Sequence, residues 1–145
     1  MSVKECYANL EKITNNFQSI SLLLARLTIA YGFYDPVMKK WQGINNVASW
    51  FGSMGIPFPT LNAYLAAITE TFGVVLLTLG LMTRLISIPL IVVMFVAIFL
   101  VHFPNGFSAA ENGFEIPFYF MLFLMIFTSF GAGKFSLDNF FFKKD

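Results

Sequence analysis

The chain has 145 residues, of which 57% are hydrophobic and only 12% are charged, whereas about 25% are charged in an ordinary soluble domain. This composition is typical of an integral membrane protein and excludes an intrinsically disordered chain. Nine basic and eight acidic residues leave a net charge of +1, which gives no indication of nucleic-acid binding.

Residues 1–16 precede the first long apolar run. Their apolar side chains recur at near-helical spacing among charged ones, which predicts a short surface helix. No cleavable signal peptide is visible, because the apolar run that starts at Phe17 is as long as a membrane span. We therefore expect the protein to keep this segment.

Four apolar segments are long enough to cross a membrane, since a hydrocarbon core of about 30 Å requires about 20 helical residues. They cover residues 17–37, 61–82, 85–101 and 116–132, and residues 133–145 form a tail. Thr83 and Arg84 form a turn that allows only an antiparallel neighbour. The sequence therefore predicts an all-α membrane protein of one domain, a four-helix transmembrane bundle in up-down-up-down order.

The segment between the first two spans is apolar, but it is too short and too rich in glycine and proline to cross. Ile44, Val47, Ala48 and Phe51 recur at helical spacing, and Trp50 is of a type that favours the membrane interface. This pattern predicts a short interfacial helix between the first and second spans. The alternative is an ordinary loop with a tryptophan anchor.

The distribution of basic residues predicts the orientation, because cytoplasmic flanks carry the excess of Lys and Arg. The outer side carries only Lys39 and Lys40, whereas the other side carries six basic residues: Lys4, Lys12, Arg84, Lys134, Lys143 and Lys144. Both termini are therefore predicted to be cytoplasmic.

Two charged residues, Arg26 and Glu70, lie inside the first two spans. Counted at about 1.5 Å per residue, both lie near the middle of the bilayer. A lone charge in hydrocarbon costs several kcal/mol, so we predict that they form an ion pair. This pair either lines a polar pocket for a small ligand, a quinone head group or a proton path, or only holds the two helices in register.

A second polar group is predicted at the outer mouth of the bundle. Asp35 and Lys39 end the first span, His102 ends the third, and Glu115 begins the fourth. One histidine with carboxylates could serve as an acid–base or weak metal site, but the spacing specifies no metal. The alternative is that these interfacial side chains only find local polar partners.

The predicted cytoplasmic end contains Arg84 in the tight turn and Asp138 after the last span. Pairing of these two residues would hold the C-terminal tail across the bundle. We expect Asp138→Ala to lower the yield or the thermal stability of the protein more than it alters any ligand binding.

No motif for a nucleotide, haem, iron–sulfur cluster or metal is present. The single cysteine, Cys6, excludes an internal disulfide or a Cys-x-x-Cys redox pair. Any redox chemistry therefore comes from a bound cofactor or a partner.

Several sequence stretches together resemble the DoxX family of small four-helix bacterial and archaeal membrane proteins. The order is LLLARLTIAYGF, then GIPFP, then ITETFGVVLLTLGLMTR, and finally GAGKFSLDNF. The resemblance covers about residues 20–140 and singles out ten positions: Arg26, Gly32, Lys39, Glu70, Gly73, Gly80, Arg84, His102, Glu115 and Asp138.

The resemblance implies a multi-pass protein of the bacterial or archaeal inner membrane that belongs to a redox system. Such proteins resemble subunits of thiosulfate:quinone oxidoreductases or partners in oxidative-stress and quinone detoxification systems. It therefore implies a redox partner protein or a homo-oligomer, a quinone as cofactor, and an accessory subunit rather than an enzyme acting alone. Two alternatives stay open: a small transporter or proton-coupled permease, and a structural scaffold, as in copper-responsive peptide maturation systems.

Overall fold

The computed structural model describes residues 2–143. Within this range the chain forms no β-strand and seven α-helices, which confirms the all-α class: α1 (Val3–Asn15), α2 (Gln18–Gln42), α3 (Ile44–Ser53), α4 (Pro59–Leu79), α5 (Thr83–Val96), α6 (Glu115–Phe130) and α7 (Leu137–Phe142). A π-helical turn, Ala97–His102, and a 3₁₀ turn, Phe103–Asn105, continue α5. Lys144, which contributes to the predicted orientation, lies outside the described residues.

The predicted N-terminal surface helix is confirmed as α1. Ser2 and Glu5 form a capping box, in which the Glu5 N–H donates to Ser2 Oγ at 3.3 Å and the Ser2 N–H donates to Glu5 Oε2 at 2.7 Å. These bonds satisfy backbone N–H groups that a helix start leaves free. No residue of α1 is buried, so the helix adds nothing to the buried core.

Two helical segments are long and apolar enough to cross a membrane: α4, with 21 residues, and Thr83–Asn105, with 23. Only 28% and 22% of their apolar stretches are buried within the chain. Because a core helix of a soluble protein would be mostly buried, these outward faces require an apolar environment such as lipid. α6 is also apolar but has 16 residues, whereas α2 has 25 residues and a more polar composition.

The buried core lies where α2, α4, α5 and α6 meet. Ile29 of α2, Leu77 of α4, Leu90 of α5 and Phe127 of α6 are each at most 2% exposed. A Cβ at Gly73 would lie 2.8 Å from Leu90 Cδ1, so the missing side chain allows α4 to approach α5 closely.

The short helix predicted between the first two spans is present as α3, so the loop alternative is wrong. α3 packs against α4, buries Ala48 and leaves Trp50 47% exposed. Its last turn meets the start of α4, where a Cβ at Gly52 would lie 3.6 Å from Pro59.

The connection between α4 and α5 is a tight turn, as predicted, but it lies earlier in the chain. Gly80 ends α4 with φ of 66°, and Met82 precedes α5 with φ of 49°. Glycine adopts this left-handed conformation freely and therefore ends helices often. Because α5 begins at Thr83, Arg84 lies in the first turn of a helix rather than in the connection.

Candidate functional site

One ionisable pair is buried between α2 and α4. The ammonium nitrogen of Lys40 lies 2.7 Å from Oε2 of Glu70. Glu70 lies near the middle of α4, about 14 Å along the helix axis from its last residue, Leu79. The Glu70 side chain is 3% exposed and that of Lys40 is 21% exposed. The pair can therefore be reached from outside the bundle through Lys40 but not through the carboxylate.

Aromatic and hydroxyl groups surround the pair at the same crossing of α2 and α4. The Trp41 indole N–H donates to Thr71 Oγ1 at 2.9 Å, and the Thr71 hydroxyl donates to the Ala67 carbonyl at 2.6 Å. The rings of Trp41 and Tyr64 meet edge to face, with centroids 6.1 Å apart. These contacts hold α2 and α4 in one register and place two aromatic side chains beside the charged pair.

Arg26 and Glu70 do not form the predicted ion pair. Two neighbour relationships show the register of α2 and α4. The Trp41 ring contacts Tyr64, and the Arg26 guanidinium lies next to Gly80, where an added Cβ would be 2.7 Å from the guanidinium carbon. Arg26 is therefore level with the end of α4, whereas Glu70 lies ten residues, about 15 Å, away along that helix. The prediction placed both residues at one depth, but the first two turns of α2 extend beyond α4.

Carbonyl groups, rather than Glu70, stabilise the buried Arg26 side chain, which is 1% exposed. Its Nη1 donates to the Ala132 carbonyl at 2.6 Å, and its Nη2 donates to the Phe135 carbonyl at 2.9 Å. Arg26 thus holds the segment that follows α6 against α2, and charged donors make strong hydrogen bonds of this kind.

Asp138 caps the start of α5 instead of pairing with Arg84. Its Oδ1 accepts from the Met82 N–H at 2.6 Å, and its Oδ2 accepts from the Thr83 N–H at 2.9 Å. Its own N–H donates to the Gly80 carbonyl at 2.8 Å. The first N–H groups of a helix have no partner within the helix and attract a carboxylate, which is why Asp138 binds there.

Arg84 binds the end of α6, so the predicted clamp between Arg84 and Asp138 is wrong in its partners. Arg84 Nη1 donates to the carbonyls of Thr128 and Ser129 at 3.0 and 2.7 Å. The last carbonyls of a helix lack intrahelical donors and carry a partial negative charge, which favours a guanidinium. Asp138 therefore ties the C-terminal segment to the start of α5, whereas Arg84 ties α5 to the end of α6.

The four residues predicted at the outer mouth form separate contacts. Lys39 makes an exposed ion pair of 2.6 Å with Asp35, one helical turn away. His102 Nδ1 lies 2.8 Å from the Asn112 carbonyl, and Glu115 accepts from a backbone N–H of the same loop at 2.9 Å. Residues 2–143 contain no group of three His, Cys, Asp or Glu side chains that could hold a metal ion.

Comparison with known proteins assigns the family. The DoxX family model matches residues 21–103, more than half of the chain. This chain belongs to the DoxX family. An uncharacterized protein of Haemophilus influenzae is 31% identical to it over 83% of this chain and 82% of its own length.

Two shorter matches carry descriptive names. A Bacillus subtilis protein named "Putative oxidoreductase CatD" is 34% identical over 51% of this chain and 54% of its own length. The Escherichia coli "Inner membrane protein YphA" is 29% identical over 48% of this chain and 49% of its own length. No solved structure matches the chain. The family and the exposed apolar helices together identify a membrane protein.

Lys40 is the residue of this DoxX protein that the sequence-based prediction of the site missed. On sequence grounds Lys40 counts only as an outer flanking charge, whereas its neighbour Lys39 belongs to the predicted outer-mouth group. The helical periodicity could have revealed that Lys40 is partly buried. Arg26, Phe33 and Val37 occupy the buried face of α2, and Lys40 continues that face. The side chain of Lys39 points away from this face and is 73% exposed.

Proposed function

We propose that this DoxX protein is an accessory subunit of a quinone-linked redox system in the inner membrane, with Lys40 and Glu70 as its intramembrane polar site. Such a system would serve oxidative-stress defence or the oxidation of sulfur compounds. The observation that carries the proposal is the buried Lys40–Glu70 ion pair near the middle of an apolar helix. Ionisable residues at such depths are costly and mark ligand or proton pathways.

The proposed topology has four membrane crossings in up-down-up-down order, made by α2, α4, α5 with its π-helical continuation, and α6. α2 is about 37 Å long and α6 is about 24 Å long, so α6 spans only with its flanking residues or with local thinning of the bilayer. Arg84, Lys134 and Lys143 lie at one end of the bundle. The positive-inside rule makes this end cytoplasmic, together with both termini.

The residues at the crossing of α2 and α4 offer contacts that a quinone head group could use. The partly exposed Lys40 ammonium can donate to a carbonyl oxygen, and Trp41 and Tyr64 offer aromatic surfaces beside it. Glu70 can hold a proton that it exchanges with its lysine partner. A bound quinone would supply two-electron, two-proton chemistry, while the chain itself binds and orients the head group.

A partner protein is part of the proposal, because electrons must reach the quinone from another redox centre. The sequence has no motif for a flavin, haem or iron–sulfur cluster. The name of the Bacillus subtilis relative, "Putative oxidoreductase CatD", supports an association with redox chemistry. An accessory role therefore fits the chain better than independent catalysis.

A structural role of the same pair is the competing hypothesis. The Trp41–Thr71 hydrogen bond lies next to the ion pair and already fixes α2 against α4. If Lys40 and Glu70 only add to this register, their loss lowers stability and changes no ligand response.

The test uses the full chain, purified in detergent, and a short-chain ubiquinone or menaquinone analogue. We expect the analogue to raise the melting temperature of the wild type and to have no effect on Lys40→Gln or Glu70→Gln. Lys39→Gln is the matched control, because it removes the same charge one residue away on an exposed face. Its response to the analogue should equal that of the wild type.

A pull-down from native membranes completes the test of the accessory role. We expect a redox protein to co-purify with the wild type in stoichiometric amount. The proposal is wrong if the wild type elutes alone and does not respond to quinones. Solute uptake into proteoliposomes by the purified chain would instead support the transporter alternative.

A further inference from the structure

An open cleft of about 590 Å³ lies at the end of the bundle where α2 and α5 begin and α6 ends. Its walls combine polar residues with large apolar ones, such as Leu22 and Phe130. It lies on the opposite side of Arg26 from the Lys40–Glu70 pair and is independent of that site.

Positive charge dominates this cleft. Arg84, Lys134 and Lys143 line it, and within residues 2–143 Asp138 is the only acidic residue that lines it. Both carboxylate oxygens of Asp138 already accept backbone hydrogen bonds from the start of α5. The buried Arg26 adds a further positive charge close to the Ala132 carbonyl in the wall. The described residues of the cleft therefore offer an anion a net positive charge.

Donors for such an anion are free within the described part of the chain. Arg84 uses only Nη1 for its bonds to α6, which leaves Nε and Nη2 without hydrogen bonds to residues 2–143. The side chains of Lys134 and Lys143 make no ion pair or hydrogen bond in the same range. Arginine and lysine donors in this number are typical of sites for phosphate groups.

An apolar groove of about 200 Å³ adjoins the cleft on the outside of α4 and α5. The cleft and the groove share Met82 and Leu85, and Leu76, Ile88 and Pro89 continue the groove along the two helices. These helices are the two that have enough length and hydropathy to cross a membrane. The groove therefore runs from the cleft along the lipid-facing surface.

We propose that the cleft and groove bind one anionic phospholipid, with its phosphate group among Arg84, Lys134 and Lys143 and an acyl chain along Leu76, Leu85 and Ile88. A basic pocket at the end of transmembrane helices, next to an apolar surface, matches both halves of such a lipid. A soluble phosphate ester would use the basic cleft but would leave the groove without a ligand. The bound lipid bridges α2, α5 and the segment after α6.

The test measures lipid binding to the full chain in detergent by native mass spectrometry and thermal unfolding. We expect dioleoyl-phosphatidylglycerol to bind and raise the melting temperature, and dioleoyl-phosphatidylcholine to do neither. Lys134→Gln combined with Lys143→Gln should weaken phosphatidylglycerol binding about 25-fold, since each lysine near a lipid surface contributes about a factor of five. Neither side chain supports the fold through a hydrogen bond with residues 2–143.

The matched control is Lys4→Gln combined with Lys12→Gln on α1, which removes the same charge from a helix with no buried residues. Its binding of phosphatidylglycerol should equal that of the wild type. Equal losses in both double variants would show non-specific charge attraction and overturn the proposal, as would unchanged binding by the cleft variant. Equal stabilisation by inorganic phosphate would exclude the role of the groove and thus a lipid ligand.

Discussion

The guanidinium of Arg26 donates a 2.6 Å hydrogen bond to the carbonyl of Ala132, 106 positions further along the chain. The second bond, to Phe135, spans 109 positions. Through these contacts the first long helix binds the segment that follows the last long helix. The C-terminal segment is therefore part of the bundle, and its attachment depends on a charge inside α2.

Replacement of Arg26 should destabilise the protein strongly. Arg26→Gln removes a buried charge and leaves the carbonyls of Ala132 and Phe135 without their donor, so we expect a loss of about 3 kcal/mol in the free energy of unfolding. Arg26→Lys keeps the charge but cannot reproduce both bonds, so its free energy of unfolding should lie between those of the wild type and Arg26→Gln. Thermal unfolding in detergent measures the effect, with exposed Lys12→Gln as the control.

Replacement of Asp138 should act through the start of α5. Asp138→Asn retains one acceptor atom for the N–H groups of Met82 and Thr83, and we expect a loss of about 1 kcal/mol. Asp138→Ala retains none and should lose about 2 kcal/mol. Asp35→Asn removes a charge from an exposed ion pair and serves as the control, with a change below about 0.5 kcal/mol. Equal melting temperatures for all three variants would contradict the capping role.

Gly80 and Gly55 form a matched pair that separates backbone strain from close packing. Their φ angles are similar, at +66° and +76°, but a Cβ at Gly80 would lie 2.6 Å from Ser136 Cβ, whereas Gly55 has no atom within 4 Å of that position. Gly55→Ala should cost about 1 kcal/mol from strain. Gly80→Ala should cost about 2 kcal/mol more, because the Ser136 and Arg26 side chains must shift. Unfolding measurements that give the two variants equal losses would refute the tight packing at Gly80.

A double-mutant cycle can test the helix register directly. Lys40→Met and Glu70→Gln should couple by about 2 kcal/mol, since the two groups lie 2.7 Å apart. Arg26→Lys and Glu70→Gln should be additive within about 0.5 kcal/mol, because their side chains share no partner. The four free energies of unfolding in each cycle provide the measurement. A coupling between Arg26 and Glu70 as large as that between Lys40 and Glu70 would overturn the register.

The helical elements were largely predictable because their signals are local. The spacing of Ile44, Val47 and Phe51 predicts α3, and the long apolar runs predict α4, α5 and α6. Their ends were less accurate: the hydropathy of the second span continues to Met82, but Gly80 ends the helix in a left-handed conformation. A backbone angle of this kind is decided by one residue rather than by an average over a span.

The partners of the charged residues could not be predicted in the same way. Depth counted from span boundaries places Arg26 and Glu70 level, but the first two turns of α2 extend beyond α4, so Arg26 lies level with Gly80. Arg26 therefore binds the C-terminal segment, and Glu70 binds Lys40. Arg84 and Asp138 likewise bind free backbone groups at helix ends, and no sequence pattern shows which helix end a tail residue will reach.

The low charge content and the helical periodicity of this sequence were enough to determine an all-α membrane protein and to single out Arg26 and Glu70 as unusual. Charge content is a matter of composition, and helical periodicity depends only on neighbours within two helical turns. Tertiary structure alone decided that Glu70 pairs with Lys40 and that Arg26 binds the C-terminal segment. The energy of an ion pair depends on distances of a few ångströms. A shift of one helical turn between α2 and α4 moves a side chain by about 5 Å, which is enough to exchange one partner for another.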